Sequence, residues 1–386
     1  MSFPPQFLDE VRARTSLSGL IGQSLTLAKA GREFKACCPF HNEKTASFTV
    51  NDEKGFYHCF SCSAHGDVIR WMIDSQGLLF VDAVKELAAA AGLEVPARSP
   101  AAAAQAARVA GIRPVLEAAQ VFYARELEVS GAVMEYLAQR GIGADLIAAF
   151  GLGFAPDRRG YFKEIGSRGD AEARSVSGSS TPPDQETLVA AGLMMRGEDG
   201  TAYPVFRNRI MIPVHDQRGR IVSFGGRIFG SGEPKYKNGP ATELFDKGRM
   251  LFNLHRAARA AHREKRLLIF EGYFDVIALA GAGIHGAVAP MGTALTPAQI
   301  ALAWRVHQCP TLMFDGDAAG IAAARRAAET ALPGVGPGQS ITVALCGAGL
   351  DPDDLVRAGG ADAIEAVCAR AQGLTDYIFE DRKSVV

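Results

Sequence analysis

The sequence predicts a multidomain α+β protein: a small metal-stabilised ribbon with helices, then a mixed α+β region rich in basic residues, then an α/β region with a central parallel sheet. Three observations predict it. Four of the seven cysteines fall between residues 37 and 62, interleaved with two histidines. From Arg196 to Arg266 fifteen Lys/Arg stand against seven Asp/Glu, and from Leu267 to the end the balance reverses to seven against thirteen. From residue 266 onward, strand-like apolar runs alternate with helix-like ones, the pattern of a parallel sheet covered by helices.

Composition sets the outer limits. A chain of 386 residues has room for about two to four domains, and 48% hydrophobic with 22% charged residues excludes wholesale disorder and fibrous design. No run of about eighteen apolar residues offers a membrane span, and "MSFPPQFLDEVRAR" lacks the order of a signal peptide, so a cytoplasmic protein without membrane partners is expected. An odd cysteine count, clustered, suits a metal site in a reducing compartment better than a disulfide framework.

In "CCPFHNEKTASFTVNDEKGFYHCFSC", residues 37–62, Cys38 and His41 enclose two residues, Cys59 and Cys62 enclose two more, and seventeen separate the pairs. Each short gap lets both side chains reach one ion, and two such knuckles complete the tetrahedron of a structural zinc. Cys37 and His58 compete for ligation, but each adjoins a better-spaced ligand and would point away. "SFTV" and "GFYHC" read as strands joined across "NDEKG", the layout of a zinc ribbon. With four ligands no coordination position is left for chemistry, so the metal organises a surface. That surface carries Lys35, Lys44, Lys54 and the aromatics Phe40, Phe48, Phe56, Tyr57 and Phe60, cations for phosphates and rings for unstacked bases, part of them consumed by the module's core. His65 lies just beyond, before "GDVIRWMIDSQGLLFVDAVKELAAAAGL", which reads as two helices broken around Gly77.

"EVPARSPAAAAQAARVAG" then reads as a tether that starts extended and turns helical. Residues 114–150 have helical apolar spacing, and short β-like runs follow from Gly151. Residues 166–184 are poor in apolar residues and read as a mobile surface loop. "RIMIPVHDQRGRIVSFGGRIFG" gives two strands across a turn at Asp216 to Gly219. The expected limits are 1–95 for the zinc domain, 96–112 for a linker, 113–265 for the basic region and 266–386 for the α/β region.

In that last region Glu271 ends the first strand, Asp315 and Asp317 end the third, and Asp351 and Asp353 follow the fourth. A parallel sheet brings all five out at one edge, where function gathers. Crowded carboxylates repel and raise one another's pKa unless hard cations neutralise them, and Mg²⁺ or Mn²⁺ takes such oxygen ligands together with phosphate oxygens. The competing reading makes Asp317 and Asp353 helix N-caps. Arg207, Arg209, Arg227, Lys235, Lys247 and Arg249 are the cations suited to triphosphate and nucleic-acid backbone, with "PKYKNGP" adding Tyr236 and Asn238.

Together these motifs resemble a bacterial replicative primase of the DnaG type over nearly the whole chain. "CCPFHNEKTASFTV" and "FYHCFSCSAHGD" are similar to that family's zinc-binding domain, and "EGYFDV", "FDGDAAG" and "DPDDLV" to its Toprim catalytic motifs. The resemblance implies one zinc on Cys38, His41, Cys59 and Cys62, and two or more Mg²⁺ or Mn²⁺ on Glu271, Asp315, Asp317, Asp351 and Asp353. It makes Glu271, Asp315 and Asp317 the catalytic acids, with Asp275 a further acid of the first motif. "FRNRIMIPV", "GRIVSFGGR", "PKYKNGP" and "LFDKGR" are similar to the basic half of the family's polymerase domain, which makes Arg207, Arg209, Arg227, Lys235, Tyr236, Asn238 and Lys247 contacts to template, nucleotide or product. The implied activity is synthesis of short RNA primers on single-stranded DNA from nucleoside triphosphates by two-metal nucleotidyl transfer.

The alternatives are a Toprim nuclease or topoisomerase-like enzyme, and a catalytically inactive fragment that binds single-stranded DNA. Pro204 and Val205 stand where the family often has Asp-Arg, and Gly239 where a hydroxyl residue is usual. The chain stops before the family's closing helical subdomain and helicase-binding domain, so docking of the replicative helicase is expected to be absent.

Overall fold

Period-two alternation in "FTVN" and "FYHC", bounded by turn residues, builds the first sheet. A computed structural model describes residues 3–41, 43–76, 78, 80–96, 100–158, 160–165, 183–292, 294–347 and 349–383. The chain divides into two units, 1–103 and 104–386.

The first unit opens with helices α1 (Pro5–Arg14) and α2 (Leu17–Ile21), the latter capped by the Ser16 hydroxyl accepting from the Gly19 amide. Strands β1 (Ala28–Ala30), β2 (Glu33–Ala36), β3 (Phe48–Asn51), β4 (Phe56–Cys59) and β5 (His65–Gly66) form an antiparallel sheet in sequence order. Helices α3 (Val68–Gln76) and α4 (Phe80–Ala90) cover one face, burying Phe48, Val50 and Tyr57 against Trp71, Met72, Val84 and Leu87. The two predicted strands and two predicted helices are present; the hairpin of β1 and β2 lay in "AKAGREFKA", whose apolar alternation is too weak to signal a strand.

In the second unit, helices α5 (Pro100–Glu128), α6 (Gly131–Gln139) and α7 (Ala144–Phe150) lead in. The expected tether is thus helical from Pro100, while 97–99 lie outside the described residues, as does most of the expected 166–184 loop. Strand β6 (Gly153–Ala155), helix α8 (Gln185–Ala190) and the hairpin β7 (Met194–Arg196) with β8 (Ala202–Pro204) precede the long hairpin β9 (Arg209–His215) and β10 (Ile221–Ile228), which meets at the predicted turn. With β11 (Tyr236–Asn238) these make an antiparallel sheet of order β11-β10-β9-β6.

The remainder is a mixed sheet of order β12-β14-β13-β15-β16-β17, from β12 (Leu251–Phe252), β13 (Leu268–Ile269), β14 (Ala287–Pro290), β15 (Thr311–Phe314), β16 (Thr342–Leu345) and β17 (Gln372–Gly373). Its four central strands are parallel and its two edges antiparallel. Helices α9 (Leu254–Glu264), α10 (Tyr273–Gly281), α11 (Pro297–Trp304), α12 (Ala318–Ala331), α13 (Pro352–Cys368) and α14 (Leu374–Lys383) complete it. The four strands are short, buried and rich in Val, Ile, Leu and Phe, as strands covered on both faces must be. From β13 the chain crosses to β14 on one side and then to β15 on the other, so a topological switch point lies at the carboxyl end of β13.

Candidate active site and metal centre

In the first unit Cys38, His41, Cys59 and Cys62 come together, their ligand atoms all within 4.8 Å of one another. Cys38 Sγ stands 3.7 Å from Cys62 Sγ, and Cys59 Sγ 3.9 Å from His41 Nδ1. Bonds of ~2.3 Å to a tetrahedral ion demand an edge of ~3.8 Å, and these two pairs stand at that length. Glu43, absent from the sequence reading, fixes the ring: His41 Nε2 donates to its Oε2 at 3.1 Å, which turns the Nδ1 lone pair toward the thiols. The same carboxylate accepts from the Ser47 hydroxyl and the Cys38 amide, and the Ser47 bond holds its pKa down at about 2. The signal for Glu43 was an acid two residues beyond a ligand histidine. Cys37 and His58 lie outside the group; Cys37 is exposed, and His58 points to the opposite sheet face from its neighbour Cys59.

In the second unit the carboxyl ends of β13, β15 and β16 deliver the acids to one cleft of about 350 Å³, lined by Glu271, Asp275, Asp315, Asp351 and Asp353. Two glycines make the Asp315–Asp317 turn possible. A side chain at Gly316 would meet the carbonyls of Cys346 and Gly347, and one at Gly320 would meet the backbone of Asp315. Asp317 caps α12, accepting from the Gly320 amide at 2.7 Å; it does not line the cleft but acts electrostatically on Glu271 and Asp315. Asp351, not Asp353, caps α13, accepting from the Asp354 amide at 2.7 Å. The cap must precede the first helical residue, and Asp353 sits inside the first turn, 5% exposed and paired with Arg140 at 2.9 Å and Arg357 at 3.5 Å.

The acids are under electrostatic load. Burial, then Asp315, raises the pKa of Glu271; burial, then Asp351 and Asp317, raises that of Asp315. Burial, with Asp315 and Asp351, pushes Asp275 up to about 8. Its carboxylate accepts from the Gly272 amide at 3.0 Å, which holds it at the head of α10. Asp353 is raised by burial and relieved by Arg357 and Arg140. Such crowding is what a divalent cation relieves, and the all-oxygen donor set suits Mg²⁺ or Mn²⁺.

The opposite wall of the cleft is cationic and aromatic. Arg227, buried, donates from Nε to Tyr136 Oη at 3.0 Å and from its guanidinium to Tyr236 Oη, with Phe274 stacked at 4.8 Å. Lys235 Nζ lies 5.9 Å from the centre of the Tyr236 ring. Arg140 reaches the same Tyr136 hydroxyl at 2.9 Å. Asn238 spends its side chain on a crosslink, donating to the Met291 carbonyl at 2.7 Å and accepting from Tyr273 Oη at 2.5 Å.

Profiles of three families match in order: the CHC2 zinc finger over residues 3–103, the N-terminal domain of the DNA primase catalytic core over 122–258, and the Toprim domain over 265–344. The DNA primase of Escherichia coli O6:H1 is 41% identical over 380 residues, 97% of this chain and 63% of that protein. A solved DnaG primase catalytic domain bound to single-stranded DNA superimposes with a TM-score of 0.63 at 36% identity, over 73% of this chain and 85% of that one. The chain belongs to the DnaG primase family. The Aquifex aeolicus primase structure of zinc-binding and RNA polymerase domains covers all of this DnaG-type chain and 89% of its own, with a TM-score of 0.60 at 28% identity. The chain spans 63% of the length of the Escherichia coli relative.

Within this DnaG-type fold the cleft gathers Arg227, Lys235, Tyr236 and Asn238 from the basic set, but not Arg207, Arg209 or Lys247. Arg209 is turned inward, its guanidinium donating to the Gly226 and Pro234 carbonyls, because at 5% exposure the charge must be met within the protein. Arg207 is exposed and pairs with Asp157 at 2.7 Å; Lys247 and Arg249 are exposed on a short turn before β12. Arg140 and Tyr136 escaped the sequence reading, where "YLAQRG" showed them only as i, i+4 neighbours on a helix end. Gly239 has a counterpart in Ser223, whose hydroxyl fills the space a side chain at 239 would occupy.

Proposed function

We propose that this chain is a DNA primase, a nucleotidyltransferase that makes short RNA primers on a single-stranded DNA template from nucleoside triphosphates. The observation that carries the reading is the single cleft in which five carboxylates from three strand ends face Arg227, Lys235 and Arg140. Glu271, Asp315 and Asp317, with Asp351 and Asp353, would hold two or more Mg²⁺ or Mn²⁺ ions, which supply charge neutralisation on the triphosphate and lower the pKa of the attacking hydroxyl. Lys235 and Arg227 hold triphosphate oxygens; the Tyr236 ring beside them gives a base or sugar a flat surface. Asn238 acts by pinning β11 to the end of β14. Arg207 and Lys247, outside the cleft, would meet template or product backbone. Cys38, His41, Cys59 and Cys62 hold one structural zinc, and the ribbon presents the template.

The proposed division is 1–95 zinc domain, 96–112 linker, 113–265 basic half and 266–386 Toprim half, a single-stranded template being the polyanion that the basic half suits. Among the described residues no helix is long and apolar enough to cross a membrane.

The test supplies single-stranded DNA, ribonucleotides and Mg²⁺ to wild type, Asp315→Ala and Glu271→Ala. Primers from wild type alone are expected. Equal yield from all three sinks the assignment, and metal-dependent nicking of DNA without nucleotides would establish a Toprim nuclease instead.

A further inference from the structure

Five of the fifteen cations between Arg196 and Arg266 fall in the last eleven residues of that stretch, and none of the five lines the cleft. They belong to α9 and the turn that ends it. One side of α9, with Leu254, Ala257, Ala260 and Ala261, is buried. The other side shows Arg256, Arg259, His262 and Arg263, with Lys265 just beyond the last turn, and all five are exposed. At about 1.5 Å of rise per residue, Arg256, Arg259 and Arg263 follow one another along a single strip at intervals of ~4.5 and ~6 Å. The whole chain carries a net charge of -1, so this row is a local concentration and not a sample of a basic protein.

The helix itself gains little from the arrangement. His262 and Arg263 suit the negative end of the helix dipole, but Arg256 stands in the first turn, where a cation opposes it. Arg256 with Arg259, and Arg259 with Arg263, are like charges three and four residues apart, which repel on a helix surface. Among the described residues, Arg263 is the one cation of the row with a carboxylate partner, its neighbour Glu264 at 2.9 Å, and it remains 69% exposed. Arg256 donates to the Ala149 carbonyl and lies 5.0 Å over the Phe150 ring, which fixes the start of the row. The hairpin turn between β9 and β10 continues the surface. A side chain at Gly219 would come within 3.5 Å of the His255 ring, so the turn that carries Arg218 and Arg220 stands against the first turn of α9.

We infer that the outer face of α9 binds the backbone of a double-stranded nucleic acid. A single strand is held through its phosphates and through rings on which its unpaired bases stack, whereas a duplex hides its bases and presents a charge about every 1.7 Å of axis. The outer face of α9 has guanidinium groups at close intervals and no exposed Phe, Tyr or Trp, which fits the duplex. Arginine also meets a phosphate with two parallel hydrogen bonds, and these contacts carry no base information. The row is therefore a second nucleic-acid contact, blind to sequence and separate from the cleft proposed for the template. It goes beyond the primase reading and does not depend on it.

The test uses the full zinc-loaded chain and fluorescence anisotropy with a blunt DNA duplex of about 20 base pairs and a single strand of the same length, over a range of salt. Arg259→Gln and Arg263→Gln together remove two phosphate contacts. They are expected to weaken duplex binding roughly tenfold and to reduce the slope of log affinity against log salt by about two, while single-strand affinity is unchanged and the thermal midpoint does not fall. Arg259→Lys with Arg263→Lys keeps the charge and retains most of the duplex affinity. No duplex binding by wild type, or duplex affinity and slope unchanged in the glutamine pair, overturns the inference. So does an equal loss on the single strand, which would make the row a stretch of the template path. Duplex binding that depends on the row, in a wild type that makes no primers, would sink the primase reading and spare this one; primers from a wild type whose duplex affinity ignores the row would do the reverse.

Discussion

The ribbon's metal-seeking group is drawn from residues 38–62 and the acid group from residues 271–353, and the two solve opposite problems. The ribbon buries Phe48, Val50, Tyr57 and Trp71 in one core with Cys38 and Cys59, and its four donors come together at the ends of one hairpin, where Glu43 locks the histidine ring. The acid group stands on a sheet whose central parallel strands are buried on both faces, and it is loaded by its own charge. Where the ion closes the donor shell it makes structure. Where like charges are crowded on a packed frame, they leave a repulsion that a divalent cation would relieve.

That contrast is broken most severely by Cys59→Ser or by zinc chelation. The metal's binding energy is folding energy in such modules, on the order of 10 kcal/mol, so unit 1–103 should lose its protection while unit 104–386 keeps its own; hydrogen exchange followed by mass spectrometry separates the two. Equal protection in both units would refute the structural role of the zinc. Asp315→Asn should do the reverse. Primer synthesis should fall on the order of a thousandfold, yet thermal stability at pH 8 without added Mg²⁺ should rise, because one of the repelling charges is gone.

The same imbalance sets a pH dependence. Asp275, Glu271, Asp315 and Asp353 have folded pKa values above their unfolded ones, so the native state keeps protons that the unfolded chain has released. Without added Mg²⁺, stability is therefore lost as pH rises from about 4 toward the value of about 8 for Asp275. His215 and His255, their rings 4.6 Å apart and both lowered by burial to about 4, act in the other sense and lose stability as pH falls from 6.5. Above pH 6.5 the histidine contribution fades while the carboxylate slope continues, and millimolar Mg²⁺ should flatten that slope in a thermal melt; a slope indifferent to Mg²⁺ would place the cation elsewhere.

Smaller effects sharpen the picture. Arg140→Ala removes the nearer partner of a buried carboxylate and leaves Arg357, so a loss of about 2 kcal/mol is expected in urea unfolding. Arg207→Ala touches only an exposed pair and should change stability by less than about 0.5 kcal/mol, while lowering the salt dependence of template binding.

Legibility in the sequence followed the range of the interactions. The convergence of Cys38, His41, Cys59 and Cys62 is readable because both knuckles are local, and that of the cleft acids because they follow apolar strand runs. Asn238 and Arg209 were readable as polar residues but not as a crosslink and an inward anchor, since their partners, Met291, Tyr273, Gly226 and Pro234, are fixed only once the sheets exist. Arg140 was invisible for the same reason: its partner Asp353 lies two hundred residues away, at a separation of 213. The contest between metal ligand and helix cap, posed for Asp317 and Asp353, moves in the structure to Asp317 and Asp351, where one carboxylate has oxygens enough for an amide and an ion.

Gly316 gives the acid cluster its gauge. With no side chain between Asp315 and Asp317, this turn lies directly on the carbonyls of Cys346 and Gly347, so the interval between the two halves of the cluster is set by backbone touching backbone. A single methyl group there would act as a shim. It would leave every acid in place along the chain and still open the jaws of the site, so that the smallest possible enlargement of the protein would cost it the ability to grip an ion.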